Sequence, residues 1–326
     1  MIRISVPEWW RQFCFAAEKF LADWHERPRR VTELASPSDK ADPAKVRYGP
    51  LERVELTDEV SRTLFEEYAA HRLTDRGHEE IGWMLLGTRG ERDALVLATL
   101  PAGDERSASS VHVRFNSHAQ AVAARMVRQW NRQLVILGIV HTHPGSMRHP
   151  SDGDLSGDRV WIQQLRGREG IFAIGTADAP KHSPDGVMWQ PTDTVQCLTE
   201  LRLSWYTLRH GEYRYRPMDV TLTVGPDYAR PLRPIWSVIE THAAEIDRLM
   251  RQQQNVRLEP LEGDGEAMLA VFVPLAEPES ALRVLISDAQ VRYQVIRGGE
   301  ILEADMRESQ VDRGVYLMLA ELARHA

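Results

Sequence analysis

The run Leu137-Gly138-Ile139-Val140-His141-Thr142-His143-Pro144 carries the strongest structural signal in the sequence. Residues 134–140 are almost continuously apolar, which is typical of a strand buried on both faces. Proline has no backbone N–H to give to a ladder, so Pro144 ends the predicted strand. Because alternate residues of a strand share a face, His141 and His143 are expected to point to the same side.

Two further polar residues follow these histidines at a fixed distance. Ser151 and Asp154 lie eight and eleven residues after His143, within His149-Pro150-Ser151-Asp152-Gly153-Asp154-Leu155. Ser151 is suited to cap a helix that begins there, which would place Asp154 in its first turn. Two imidazoles and one carboxylate are the ligand set of a catalytic zinc that keeps its fourth position for water. The pattern therefore indicates a metal site formed by His141, His143 and Asp154.

These residues give the sequence a resemblance to the JAMM family, the metalloproteases with the MPN fold. The family pattern is a histidine, a serine or threonine, a second histidine, seven residues, a serine, two residues and an aspartate. The chain fills it with His141, Thr142, His143, Ser151 and Asp154. The family also has a glutamate upstream, on a strand that ends in glycine, and Glu80-Ile81-Gly82-Trp83-Met84-Leu85-Leu86-Gly87 matches that element. The resemblance covers roughly residues 50–200.

The resemblance implies a role for each of these side chains. His141, His143 and Asp154 would hold one Zn2+ ion per chain, which lowers the pKa of a bound water from about 15.7 to about 7. Glu80 would accept the proton of that water and pass it to the leaving amine. Ser151 would stabilise the oxyanion of the tetrahedral intermediate through its hydroxyl.

The general base has two candidates in the sequence. Glu79 adjoins Glu80, and successive residues of a strand point to opposite faces, so only one of them can face the histidines. The offsets of Glu80 from Gly82 and from Gly87 fit the family element better, so Glu80 is the predicted base. His149 lies near the ligands but outside the motif spacing, and is interpreted as a neighbour of the ligands or a solvated residue.

Apolar residues around the motif recur with helix and strand periods. The spacing predicts helices from Thr57 onward, over 117–132 and over 156–165, and strands over 81–86, 94–100, 134–140, 171–175 and within 201–224. Helices mixed with strands in this order indicate an α/β or α+β layer fold. The family resemblance implies, more narrowly, an MPN/cytidine-deaminase-like three-layer core with a mixed sheet flanked by helices.

Three segments are distinguished along the chain. Residues 1–45 contain an aromatic-rich helical pattern over 7–26 and a linker with Pro37 and Pro43. That helix either packs on the protein's own core or docks a partner. Residues 46–225 are the predicted catalytic domain.

Residues 226–326 are predicted to form a smaller C-terminal α+β module. The pattern indicates a helix over 234–254, strands over 267–273, 282–287 and 291–296, and a final helix over 311–324. This order resembles the ubiquitin-conjugating-enzyme or RWD-like folds. The module contains no cysteine, so it cannot form a thioester and is expected to be non-catalytic.

The composition of the 326 residues narrows the setting. A formal net charge of -7 argues against nucleic acid as a partner, since such proteins usually carry a basic stripe. Cys14 and Cys197 are too few and too far apart for a disulfide framework. No uncharged apolar run reaches the roughly 18 residues of a membrane span, and no signal peptide is apparent. We therefore expect a cytoplasmic protein with no membrane partner.

The resemblance also implies a class of substrate. The best-known members of the family remove ubiquitin or ubiquitin-like proteins from lysine side chains or fusion partners. A tail that ends in glycine would bind by strand addition beside the zinc. The many Arg and Ala residues suggest a bacterial protein. For such a protein the resemblance implies a bacterial ubiquitin-like conjugation pathway, in which this chain deconjugates or matures the modifier. Other enzymes of that pathway could bind through the N-terminal helix or the C-terminal module.

Two other functions stay open from the residues alone. The first is a zinc-dependent amidase for a small molecule or short peptide, which would cleave short amides without a folded partner. The second is a binding or assembly protein that retains zinc without turnover, for which Glu80→Ala would change nothing measurable.

Overall fold

A computed structural model describes residues 47–103, 107–108, 113–180, 186–263 and 265–324. These residues fall into two compact units, one spanning Lys45–Glu240 and the other including Thr241–Ala326. The helix predicted over 7–26 and Cys14 lie outside the described residues. The domain boundaries predicted at 45 and 225 stay predictions. No helix in the described ranges is long and apolar enough to cross a membrane.

The first unit is built on a large mixed sheet. The strands of the unit, in chain order, are β1 (Arg53–Thr57), β2 (Gly82–Arg89), β3 (Asp93–Pro101), β4 (Ser107–Ala108), β5 (Val113–Arg114), β6 (Val135–Thr142), β7 (Glu169–Thr176), β8 (Trp189–Thr192), β9 (Val195–Leu198), β10 (Leu201–Arg209), β11 (Arg216–Pro217) and β12 (Asp219–Thr223). Within the described residues, β4 and β5 pair with each other, and the other ten strands follow the order β12-β1-β3-β2-β6-β7-β10-β9-β8, with β11 beside β10.

Helices flank this sheet, and the first two of them bury their apolar sides. They are α1 (Asp58–Arg72), α2 (Ser117–Trp130) and α3 (Asp152–Trp161), with short 3-10 turns at Ile162–Gln164, Arg166–Arg168 and Arg230–Ile235. Thr57 caps α1 by accepting a hydrogen bond from the Val60 backbone N–H. Leu64 and Phe65 of α1 pack with Trp83 and Trp205 of the sheet in the main core.

The central strand β6 positions the motif. It runs antiparallel to β2, with Gly82 opposite His141, and parallel to β7, with Ile174 opposite His141. Beyond the ladder, the Thr142 backbone N–H donates to Ile81 O at 2.9 Å and that of His143 to Gly175 O at 2.8 Å. The end of β6, the start of β2 and the end of β7 therefore meet at one place.

The second unit is a five-stranded antiparallel sheet with helices. Its elements are α4 (Trp236–Gln252, inside which the two units divide), β13 (Arg257–Gly263), β14 (Glu266–Pro274), β15 (Ala281–Ile286), β16 (Val291–Arg297), β17 (Glu300–Glu303) and α5 (Val311–Arg324). The sheet order is β13-β14-β15-β16-β17. Arg248 of α4 donates to Asp312 of α5 at 2.6 Å, which ties the two helices together.

The predicted α/β (α+β) class is confirmed, with a mixed sheet flanked by helices and a smaller C-terminal module. The cap predicted at Ser151 is confirmed, and the helix begins at Asp152 and ends at Trp161. The bounds of 156–165, which were predicted from apolar spacing, are therefore wrong at both ends. Five strands rather than three form the C-terminal sheet. The two additional strands were not predicted because β13 contains Pro260, which an edge strand tolerates, and β17 is a short, fully exposed edge.

Gly138 in β6 gives a test of this packing. A Cβ at this position would overlap the backbone carbonyl oxygen of Ile171 in β7, which is central and cannot move cheaply. We expect Gly138→Ala to lower the free energy of unfolding by about 1–3 kcal/mol, measured by denaturant titration. The control is Gly157→Ala on the exposed side of α3, where a Cβ meets nothing within 4 Å. It should leave the stability unchanged or raise it by up to about 1 kcal/mol. Equal stability of the two variants would contradict the β6–β7 packing.

Candidate metal centre

Three side chains converge where β6 ends. His141 is the penultimate residue of β6, His143 follows the strand, and Asp154 lies in the first turn of α3. One ligand atom from each lies within 4.8 Å of the others. The two Nε2 atoms are 3.1 Å apart, and the Asp154 carboxylate oxygens lie 3.4 Å from His141 Nε2 and 3.6 Å from His143 Nε2. The predicted ligands are thus brought together as one cluster.

The start of α3 holds Asp154 in this position. Ser151 caps the helix: its Oγ accepts from the Asp154 backbone N–H at 3.1 Å, and its own backbone N–H donates to Asp154 Oδ2 at 2.6 Å. The Ser151 hydroxyl also donates to Asp154 Oδ2, at 2.8 Å. This reciprocal capping box fixes the carboxylate against the histidines. The predicted catalytic hydroxyl therefore lies at the cluster.

The orientation of His143 is set by the loop that follows it. Its Nδ1 lies 2.8 Å from the carbonyl oxygen of Met147. A carbonyl can only accept, so Nδ1 carries a proton, and in the neutral ring Nε2 keeps its lone pair for a cation. This tautomer is the one that a metal ligand bonding through Nε2 requires.

The charges of the cluster favour a cation. Burial alone would raise the pKa of Asp154, but hydrogen bonds to His141 and His143 outweigh it and hold that pKa well below the usual range of a carboxyl group. Burial alone would lower the pKa of His143, but hydrogen bonds to Asp154 and to the Met147 carbonyl raise it overall. Imidazole nitrogens and a carboxylate oxygen at these separations fit a divalent metal ion.

The two candidate bases have different surroundings. Glu80 is only 3% exposed, and its Oε1 lies 4.0 Å from His143 Nε2. Glu79 accepts a hydrogen bond from Arg76 Nε at 2.7 Å, and its side chain is 19% exposed. Glu80 is therefore the carboxylate that lies beside the cluster, while Glu79 takes part in an ion pair with Arg76.

Sequence reasoning missed a second carboxylate near the cluster. Asp158 follows Asp154 by one helical turn, and it accepts a hydrogen bond from the Tyr215 hydroxyl at 2.7 Å. Burial raises the pKa of Asp158 to about 6. The spacing of four residues on α3 could have pointed to Asp158, whereas nothing in the sequence pointed to Tyr215. His149, for which the sequence predicts either a neighbour of the ligands or a solvated residue, lies with its Nδ1 2.9 Å from the Tyr206 hydroxyl.

Comparison with known proteins identifies the kind of domain. The family described as prokaryotic homologs of the JAB domain matches residues 61–189, a segment that contains Glu80, His141, His143 and Asp154. No curated protein matches the chain. A structural-genomics protein of Desulfitobacterium hafniense, solved in solution, is 16% identical and covers 54% of this chain and 96% of its own, with a TM-score of 0.36.

Metal binding should stabilise the protein through this cluster. A ligand that binds the native state adds about 2.7 kcal/mol to the free energy of unfolding at a free concentration of 100 times Kd. We expect a chelator to lower the melting temperature of the wild type, and divalent metal to restore it. In His143→Gln neither treatment should shift the melting temperature, whereas His210→Gln, on an exposed turn, should respond like the wild type. A shift in His143→Gln equal to that of the wild type would place the metal elsewhere.

Proposed function

Residues 61–189 match the family of prokaryotic homologs of the JAB domain, which is consistent with the JAMM (MPN-fold) resemblance, and from that premise we propose that the protein is a zinc-dependent peptidase or isopeptidase. It cleaves the amide bond after the C-terminal tail of a ubiquitin-like protein, by deconjugation or by processing of a precursor. The observation that carries the proposal is the buried Glu80 carboxylate, 4.0 Å from His143 Nε2. A general base beside a metal-ligand set is the combination that amide hydrolysis by water needs.

The proposed cofactor is a single Zn2+ ion held by His141, His143 and Asp154. Two imidazoles and a carboxylate form a ligand set that leaves one position open, as catalytic zinc requires. When bound, zinc supplies a Lewis acid that lowers the pKa of a water at the open position and polarises the amide carbonyl. The Met147 carbonyl and the Ser151 cap orient two of these ligands in advance.

The side chains around the cluster move the protons of the reaction. Glu80 takes a proton from the attacking water and delivers it to the nitrogen of the leaving amine as the C–N bond breaks. The Ser151 backbone N–H holds Asp154. The Ser151 hydroxyl, which donates to Asp154 Oδ2 in this structure, is the proposed donor to the oxyanion after it rotates away from that carboxylate. Glu80 acts where little water competes, because it is only 3% exposed.

The recessed position of the cluster supports a slender substrate. His141 is 7% exposed and His143 is 5% exposed, so a folded protein surface cannot reach them directly. An extended tail that ends in glycine has no bulky side chains and can enter such a recess. The final residues of a ubiquitin-like protein have this character, and strand addition would bind them with little demand on sequence.

A reporter fused to the tail of a ubiquitin-like protein from the same genome tests this proposal. We expect the wild type to release the reporter after the last residue of the tail, as measured by mass spectrometry. Glu80→Gln should lower the rate by about 10²–10⁴-fold, because general base catalysis is lost, and should still bind zinc. A chelator should stop the wild-type reaction.

The adjacent residue provides a matched control. Glu79→Gln changes the same functional group one position away, where the carboxylate bonds Arg76 rather than facing the cluster. Its rate should stay within about twofold of the wild type, since it takes no part in proton transfer. Equal losses of cleavage rate in Glu80→Gln and Glu79→Gln would contradict the assignment of Glu80 as the base. If the protein cleaves short amides but leaves the fusion intact, its substrate is a small amide and not a ubiquitin-like protein.

A further inference from the structure

The loop formed by residues 144–150 connects the two halves of the proposed metal centre. It runs from His143 to Ser151, so its shape decides where α3 presents Asp154. Most of its residues are exposed, and a Cβ at Gly145 would meet nothing within 4 Å. A loop with so little packing of its own needs contacts to other parts of the protein if it is to fix the positions of His143 and Asp154 relative to each other.

Tyr206 of β10 is one such anchor. Its hydroxyl donates to the carbonyl oxygen of Arg148 at 2.8 Å, and His149 Nδ1 lies 2.9 Å from the same hydroxyl. Since the only hydroxyl proton goes to Arg148, His149 Nδ1 is the donor in the second bond. Tyr206 is 7% exposed, and its ring packs in the core beneath α3 with Phe172. The hydroxyl is therefore delivered to the loop from a rigid strand.

A second anchor holds the side chain of the same loop residue. Arg148 Nε donates to Asp178 Oδ2 at 2.8 Å, and the Thr176 hydroxyl donates to Asp178 Oδ1 at 2.7 Å. Asp178 follows β7, so this anchor also comes from the sheet. Arg148 is thus fixed through its carbonyl by Tyr206 and through its guanidinium by Asp178.

The fixed carbonyl of Arg148 is adjacent in the chain to the carbonyl that orients His143. Met147 O accepts the proton of His143 Nδ1. The planar peptide unit that contains Met147 O ends at the Cα of Arg148, so fixing Arg148 at both its carbonyl and its guanidinium limits where Met147 O can lie. We propose that Tyr206 is a positioning residue for the metal centre: its hydroxyl holds the loop so that Met147 O keeps His143 in the Nδ1–H form, with Nε2 directed at the metal. The inference rests on His143 being a metal ligand, as in the proposed function, and does not depend on the substrate.

A purely structural role of Tyr206 makes a different prediction. If the ring only fills the core beneath α3, Tyr206→Phe keeps that packing and should leave the metal centre unchanged. If the hydroxyl positions the loop, the same change releases the carbonyls of Met147 and Arg148 while the ring stays in place. Tyr206→Phe therefore separates the two roles.

The test measures the tautomer of His143 and the affinity for zinc. In the metal-free wild type, long-range ¹H–¹⁵N spectra should show His143 with its proton on Nδ1; in Tyr206→Phe the Nε2–H form should gain population. Zinc affinity, measured by competition with a chromophoric chelator, should weaken by about tenfold, as is typical when a group that orients a ligand is lost. The control is Tyr213→Phe, a 73% exposed tyrosine, which should match the wild type.

The outcomes distinguish this inference from the wider proposal. A wild type that binds no zinc would overturn the metal centre and the inference with it. In the second outcome the wild type binds zinc, and Tyr206→Phe keeps the His143 tautomer and a zinc Kd within twofold of the wild type. That outcome would overturn this inference but not the metal centre. If Tyr206→Phe does not fold, Asp178→Ala decides, because it releases the second anchor from a partly exposed position. Zinc affinity unchanged in Asp178→Ala would then overturn the inference.

Discussion

The pairing of Thr142 with Ile81 is the interaction on which the arrangement of the site depends. Thr142 N donates to Ile81 O at 2.9 Å, and Ile81 N donates to the Thr142 hydroxyl at 3.0 Å, so the side chain continues the ladder where the backbone leaves it. Thr142 stands between His141 and His143, and Ile81 follows Glu80. This pairing therefore sets the proposed base against the proposed ligands, and it explains why a short hydroxyl residue suits the middle of the motif.

The cluster also shows why a cation suits this protein. Glu80, His141, His143 and Asp154 are gathered in a largely buried position, where ionised groups are costly unless they are paired. The pKa values of Asp154 and His143 move in opposite directions because each stabilises the charge of the other. A divalent ion would satisfy the same nitrogen and oxygen atoms at once. Metal binding and folding of the first unit are therefore expected to be linked.

The sequence predicted the parts of the site that lie in local patterns. The strand that ends at Thr142, the cap at Ser151 and the place of Asp154 follow from spacing and residue type alone. The resemblance to the JAMM family is confirmed over residues 61–189. Tyr206, Tyr215 and Asp178 were missed, because hydrogen bonds to residues far along the chain leave no periodic signal. The short strands β8 and β9 were missed for a related reason: few residues carry too little pattern to be separated from loops.

The most direct measurement of the central claim is an anomalous difference map at the zinc edge from crystals of the full chain grown with Zn2+. We predict a single strong peak bonded to His141 Nε2, His143 Nε2 and an oxygen of Asp154, with Glu80 close by but not bonded to the ion. A peak bonded to Glu80 would contradict its assignment as the base. The absence of a peak at His141 and His143 would contradict the metal centre itself.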